Sequence, residues 1–231
     1  MRLLGLELPV PDPTAFSPRS AGLEMASTLV ATDGPVTVIT DSTGLKVFGA
    51  GEWHLEKHGG KARRTWRKLH LAVSPDTGEI IALELTSNED SDASLVRPLL
   101  DQITRPMDAV TADGVYDAEP VYRDVAERAP DAEVIIPSRA TAVVSDRAET
   151  APTQRDRHIR IIKERGRLGW RRAVQYGRRA LVEVAMLRYK VLNGRSLCAR
   201  TLHVQKVEAA IGCKVMNVMT GLGMPVTRKV A

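Results

Sequence analysis

Hydrophobic residues follow a period of two in the first half of the chain and predict β-strands there. The segment VTVIT is β-branched, and the sequence DSTG at 41–44 after it is typical of a turn. Residues 45–49 then fit the return strand of a hairpin. A second turn signal, PDTG at 75–78, separates two alternating segments. The predicted strands cover residues 36–40, 45–49, 65–74 and 79–87.

After residue 90 the hydrophobic period becomes that of helices. Two short apolar segments, 107–114 and 132–138, interrupt the helical pattern and predict buried strands. The polar segment 139–157 is expected to be irregular, and Asn193-Gly194 is expected to end a helix. The predicted helices cover residues 91–103, 118–129, 158–165, 174–193 and 203–220.

This order of elements predicts an α/β fold. Three antiparallel strands are followed by helix, strand, helix, strand and helix, and strand-helix-strand connections imply parallel pairing with a right-handed crossover. A mixed sheet flanked by helices is the compact solution. The order is also that of ribonuclease H-like proteins, although order alone says little about function.

Composition narrows the class of protein. With 231 residues the chain is long enough for one substantial domain. No segment approaches the roughly 18 apolar residues that span a bilayer. Cys198 and Cys213 allow at most one bridge and have no metal-ligand spacing. A reduced, cytoplasmic protein is expected, with no membrane partner.

Charge is distributed unevenly along the chain. The net charge is +5, but the segment from Arg155 to Arg200 holds 14 basic and 3 acidic residues, which leaves 19 basic and 25 acidic residues elsewhere. A second basic cluster, KARRTWRK, lies at 61–68. Either cluster alone fits a solvated surface. The two together favour a polyanionic partner such as nucleic acid.

Three carboxylates are candidates for chemistry. Asp41 and Asp113 are each expected to end a strand, at neighbouring positions in a ribonuclease H-like sheet, although both also fit simple turns. Glu183 is the only acid between Arg165 and Val207.

On a continuous helix, Glu183 would share an arc of about 60° with Tyr176, Arg179 and Lys190. The alternative is a surface pair of Arg179 and Glu183, which would stabilise a helix by only a few tenths of a kcal/mol. That pair would not explain why other acids are absent from this long basic segment.

The spacing Y-x2-R-x3-E-x6-K resembles the signature of DDE transposases from bacterial insertion sequences. The segments TDSTGLKVFGAGEW, RRTWRKLHLAVSPDTGEI, ADGVYDAEP and RYKVLNG look like the conserved blocks of insertion-sequence family five. The resemblance extends from about residue 34 to residue 220, and four blocks in the right order make it specific.

The resemblance implies a mechanism. Asp41, Asp113 and Glu183 would be the catalytic triad and would hold two divalent metal ions, Mg²⁺ or Mn²⁺, for DNA strand cleavage and strand transfer. Further residues are expected to contact double-stranded DNA, at the element ends and the target: Tyr176, Arg179, Lys190, Arg63, Arg64, Arg67 and Lys68.

The same resemblance implies a domain organisation. Residues 1–33 look like the residual end of an N-terminal domain, 34–220 like the catalytic domain and 221–231 like a tail. A homodimer on DNA in the bacterial cytoplasm, associated with the nucleoid, is expected. Two alternatives stay open: a truncated, inactive DNA-binding remnant or transposition inhibitor, and a ribonuclease H-like nuclease without strand transfer.

Overall fold

A computed structural model describes residues 34–47 and 66–223 of the chain, together with two short strands near its start. These strands, β1 (Arg2–Leu3) and β2 (Leu6–Glu7), pair with each other antiparallel. No helix in the described part of the chain is long and apolar enough to cross a membrane.

The centre of the fold is a mixed sheet of six strands, in agreement with the predicted fold class. The strands are β3 (Val36–Val47), β4 (Trp66–Val73), β5 (Ile80–Ser87), β6 (Met107–Thr111), β7 (Glu133–Ile135) and β8 (Ser196–Leu197). Their order in the sheet is β5-β4-β3-β6-β7, and β8 pairs with the C-terminal end of β3. Strands β3, β4 and β5 pair antiparallel, whereas β6, β7 and β8 run parallel to their neighbours.

Five α-helices flank the sheet in the described residues. The helices are α1 (Val96–Asp101), α2 (Glu119–Arg128), α3 (Gln154–Ala173), α4 (Ala180–Leu192) and α5 (Leu202–Gly221). One hydrophobic core lies between one sheet face and α1 and α2, and a second lies between the other face and α4 and α5. Helix α3 lies against β7 at the edge of the sheet.

The predicted hairpin at residues 41–44 is wrong, because β3 continues through it as one strand of 12 residues. Asp41 pairs with Leu71 and Gly44 pairs with Lys68 in an unbroken antiparallel register. Gly44 is needed here for close packing rather than for a turn, since a Cβ atom would lie 3.3 Å from the ring of Trp66. Asp41 therefore lies in the middle of a strand and does not end it.

Two predicted helix boundaries near the basic segment also need correction. Helix α3 begins at Gln154, within the segment expected to be irregular, because Thr153 caps it and its hydroxyl accepts from the backbone N–H of Asp156. The next predicted helix does not begin at residue 174. Gln175 has a left-handed backbone (φ 51°) and a 3₁₀ turn spans Tyr176–Arg179 before α4 begins.

Candidate active site

The register of two parallel strands places Asp41 and Asp113 next to each other. Pairing of β3 with β6 ends at Ile39 and Thr111, and each aspartate lies two residues beyond that pair. The Asp113 side chain caps the following 3₁₀ turn by accepting a 2.8 Å hydrogen bond from the backbone N–H of Val115. Two neighbouring strands thus deliver two carboxylates to one point on the sheet.

Helix α4 brings the third carboxylate to the same point. Its buried residues pack into the core on the sheet face that carries Ile39 and Leu45. The Asp41 side chain lies on the same face, because Asp41 is two residues after Ile39 on β3 and such residues share a face. Glu183 follows the buried Val182 and keeps 57% of its side chain exposed. Packing of α4 therefore fixes the helix, while Glu183 remains at its accessible border.

The side chain of Arg179 contacts all three carboxylates. Its Nη2 lies 2.6 Å from Asp41 Oδ2 and 3.8 Å from Asp113 Oδ2, and its Nη1 lies 2.5 Å from Glu183 Oε1. The Arg179 side chain is 18% exposed, that of Asp41 15% and that of Asp113 31%. One positive charge thus faces three negative charges in a partly buried position.

The pKa values reflect this excess of negative charge. Burial raises the pKa of Asp41, and neither the hydrogen bond from Ser42 nor the charge of Arg179 offsets it, since the charges of Asp113 and Glu183 raise it further. For Arg179, burial opposes the charged form, but the nearby carboxylates keep its pKa above the ordinary value. Such a site favours additional positive charge.

Tyr176 and Lys190 lie on either side of these carboxylates. The Tyr176 hydroxyl donates to the carbonyl of Ala112 at 3.3 Å, directly before Asp113, and burial raises its pKa to about 12. The Lys190 ammonium donates to Thr43 Oγ1 at 2.6 Å, two residues beyond Asp41 on β3. Burial lowers the pKa of Lys190.

The prediction that Tyr176, Arg179, Glu183 and Lys190 share one face of a continuous helix is wrong. Only Glu183 and Lys190 lie on α4, and the other two lie in the 3₁₀ turn before it. Arg179 and Glu183 are nevertheless in contact across this boundary.

The predicted DNA contacts on β4 have partners within the fold. Arg67 Nε donates to Gln205 on α5 at 2.8 Å. Lys68 Nζ donates to the carbonyl of Asp90 at 2.8 Å and lies 3.2 Å from Asp92 Oδ1. As adjacent strand residues, the two point to opposite faces of the sheet. The two other predicted contacts of this cluster, Arg63 and Arg64, lie outside the described residues.

Two groups that contact residues of the site, Thr43 and the carbonyl of Ala112, were missed by the sequence analysis. Thr43 was assigned to a turn, whereas a strand would have placed it on the same face as Asp41, two residues before it. Outside the site, Asp117 was not considered either, although it follows Asp113 in the segment ADGVYD and anchors Arg155 on α3. The carbonyl of Ala112 carries no sequence signal, because every residue has one.

The chemistry of the three carboxylates fits a divalent cation, since Mg²⁺ binds oxygen ligands and retains several waters. Their spacing in this conformation does not: in residues 34–47 and 66–223, no three Asp, Glu, His or Cys side chains are close enough to hold one ion. The guanidinium of Arg179 lies where the three carboxylates converge.

A mixed sheet with one carboxylate on a central strand, a second directly after the neighbouring strand and a third on a packed helix is typical of ribonuclease H-like α/β folds. Residues 32–218 match the family model described as the transposase DDE domain. The chain belongs to this family. Membership supports a transposase-type function in DNA transposition and recombination, with DNA as the substrate.

Proposed function

We propose that this chain is the catalytic domain of an insertion-sequence transposase of family five, which cleaves DNA phosphodiester bonds and joins the ends to a target. The observation that carries the proposal is the convergence of Asp41, Asp113 and Glu183 around the guanidinium of Arg179. Carboxylates packed at this density serve metal-dependent phosphoryl transfer better than they serve stability.

In this proposal the three carboxylates hold the metal ions. Two divalent cations, Mg²⁺ or Mn²⁺, would activate the attacking water or 3′-hydroxyl and stabilise the leaving oxygen. Asp41 and Asp113 are held rigidly, because the strands fix their backbones and the N–H groups of Ser42 and Val115 each donate to one of their oxygens. Glu183, on the helix, has the most exposed carboxylate and the greatest freedom to adjust.

Tyr176 and Lys190 would orient the DNA strand from opposite sides of the acids. Tyr176 is anchored beside Asp113, and its ring packs on Trp170 with centroids 5.0 Å apart. Lys190 is anchored beside Asp41 through Thr43. Phosphates that meet a hydroxyl on one side and an ammonium on the other are restricted to a path across the carboxylates.

Double-stranded DNA is the proposed partner, and the charge of α3 supports it. Several exposed basic residues of this helix have no hydrogen-bond or ion-pair partner in the described residues, in contrast to Arg160, which pairs with Glu149. Unpaired cations on α3 favour binding to phosphates with release of counterions. These residues are Arg157, Lys163, Arg165 and Arg172.

A homodimer on DNA, within the bacterial cytoplasm and on the nucleoid, completes the proposal. Helix α4 exposes one apolar side and α5 exposes another, and a second copy of the chain could cover them. The exposed residues are Leu181, Val184, Leu187 and Val191 on α4, Ile211, Val215 and Val218 on α5, and Leu222 directly after α5. Light scattering of the DNA complex would give a mass of two chains, and a one-chain complex would contradict the dimer.

Nicking of supercoiled DNA in Mg²⁺ or Mn²⁺ tests the cleavage activity, and joining of a labelled DNA end to plasmid tests strand transfer. The wild type is expected to do both, and Glu183→Gln neither, while still binding DNA. Nicking without joining would favour the nuclease alternative. Binding without nicking would favour an inactive DNA-binding protein or transposition inhibitor.

A further inference from the structure

Arg179 is in a position that a residue dedicated to DNA contact would not need. Its guanidinium touches Asp41 and Glu183 directly and lies near Asp113, on the inner side of the site rather than facing solvent. Its Nε is buried and has no hydrogen-bond partner in the described residues. The Nε–H group is thus a buried donor that the carboxylates leave unsatisfied.

The guanidinium of Arg179 and a metal ion would compete for the same carboxylates. Mg²⁺ binds carboxylate oxygens at about 2.0–2.1 Å, and one oxygen of Asp41 and one oxygen of Glu183 already accept from Arg179 at 2.6 and 2.5 Å. Two cations so close together repel each other in a partly buried site. The missing three-ligand cluster in the described residues agrees with this competition.

The backbone around Arg179 suits a change of side-chain partner. Arg179 ends a short 3₁₀ turn that follows Gln175, whose backbone is left-handed (φ 51°). A Cβ atom at Gly177 would meet nothing within 4 Å, so the turn has room on that side. A DNA phosphate offers the guanidinium the same planar pair of oxygens that a carboxylate offers.

We propose that Arg179 exchanges between two anions: the carboxylates of Asp41, Asp113 and Glu183 in the free protein, and a phosphate of the DNA in the complex. This inference rests on the proposed function. In the free protein Arg179 neutralises part of the acidic charge and competes with divalent metal. When DNA withdraws Arg179, the carboxylates become available, and DNA and metal therefore increase each other's affinity by one common factor.

The test is the affinity of the DNA-free protein for Mn²⁺, measured by calorimetry or by the spin-resonance signal of free Mn²⁺. Arg179→Ala is compared with Arg178→Ala, a matched control that removes the same charge from the neighbouring position but contacts Asp76 instead. Arg179→Ala is expected to bind Mn²⁺ about tenfold more tightly than Arg178→Ala, within the usual range of coupling factors. Equal or weaker binding in Arg179→Ala would overturn the exchange.

A second variant covers failure to fold. Arg179→Gln keeps a polar side chain without the charge, and the same tightening is expected once circular dichroism shows native structure. The addition of a double-stranded oligonucleotide should tighten Mn²⁺ binding more in the wild type than in Arg179→Gln, because only the wild type has the arginine to withdraw. An equal effect of DNA on both proteins would contradict the linkage.

A third variant separates this inference from the proposed function. Asp41→Asn in the Arg179→Ala background should abolish tight Mn²⁺ binding. If binding survives, the three carboxylates are not the metal site and the proposed function loses its basis. If binding is lost but Arg179→Ala alone gave no tightening, the metal site stands and the exchange is wrong.

Discussion

Two arginine–carboxylate networks lie a short distance apart and differ in how charge is balanced. In one, the Asp117 side chain is fully buried and accepts from Arg155 at 2.7 and 3.1 Å, from the backbone N–H of Arg139 at 3.0 Å and from Tyr122 at 3.5 Å. In the other, Arg179 alone serves three carboxylates. In the first network one guanidinium balances one carboxylate, whereas in the second one guanidinium faces three carboxylates.

The pKa values of the two aspartates move in opposite directions as a result. Burial alone would raise the pKa of Asp117, but Arg155 and the N–H of Arg139 outweigh it and leave the pKa lowered. The pKa of Asp41 is raised, although Arg179 lies just as close. Burial is the largest cause at both aspartates and acts to raise both pKa values, but the hydrogen bonds and charge of Arg155 outweigh it at Asp117, whereas the charges of Asp113 and Glu183 add to it at Asp41. A carboxylate whose charge stays uncompensated in this way is a candidate for chemistry.

The largest expected effect is on catalysis at the uncompensated network. Asp41→Asn should lower metal-dependent DNA cleavage on the order of a thousandfold, because it removes a charged oxygen ligand from the site. Nicking rates of supercoiled DNA in Mg²⁺ would measure this loss. Asp76→Asn is the matched control, since Asp76 is an exposed partner of Arg178, and it should cleave like the wild type.

The next effect is on stability at the compensated network. Asp117→Ala should lower the free energy of unfolding by about 3–5 kcal/mol, because it leaves Arg155 without its buried partner. Urea denaturation would measure this difference. Asp101→Ala, which breaks an exposed pair with Arg97, should cost much less. Equal costs for the two variants would contradict a structural role specific to Asp117.

Stability at acid pH should depend on Asp117 in a defined direction. Since its folded pKa is lowered, its contribution is fully present above the ordinary pKa of an aspartate, about 3.9, and is lost as the pH falls from there through the folded pKa. Denaturation midpoints between pH 5 and pH 3 should therefore fall more steeply in the wild type than in Asp117→Asn. Parallel slopes would show that Asp117 carries no such contribution.

The smallest effect concerns the anchor of Lys190. Thr43→Val removes the acceptor of its hydrogen bond while keeping the shape of the side chain, and cleavage should fall about fivefold, as for the loss of roughly 1 kcal/mol. The same substitution in a Lys190→Ala background should have little further effect. If Thr43→Val costs as much without Lys190 as with it, the hydrogen bond is not the cause.

Periodicity in the sequence was sufficient for most of the sheet and failed in β3. Strands β4 and β5 lie within the predicted ranges, and the predicted turn between them is present, with Gly78 at φ 73°. Residues 41–44 have the composition of a turn, because the strand there carries an acid for the site and a glycine for the ring of Trp66. Residues 41–44 are therefore not typical strand residues, because they serve the site and the packing of the sheet. Local β-propensity predicts neither requirement.

The sequence proposed Asp41, Asp113 and Glu183 as one site, but it did not predict the contacts among them. The i,i+4 pair of Arg179 and Glu183, which was the alternative interpretation of this spacing, is present in the structure. The contact of Arg179 with Asp41 spans 138 residues of chain and depends on the packing of α4 against the sheet. The spacing of residues in the sequence cannot predict a contact between side chains so far apart along the chain. The left-handed backbone of Gln175 was equally hidden, since glutamine carries no preference for it.

The most direct test places Asp41→Asn and Asp117→Asn side by side in the nicking assay, at a temperature where circular dichroism shows that both are folded. Asp41→Asn is expected to be stable and not to cleave DNA, whereas Asp117→Asn is expected to be less stable but to cleave DNA when it is folded. Cleavage by Asp41→Asn, or an equal loss of cleavage in folded Asp117→Asn, would contradict the claim that the uncompensated carboxylates carry the chemistry.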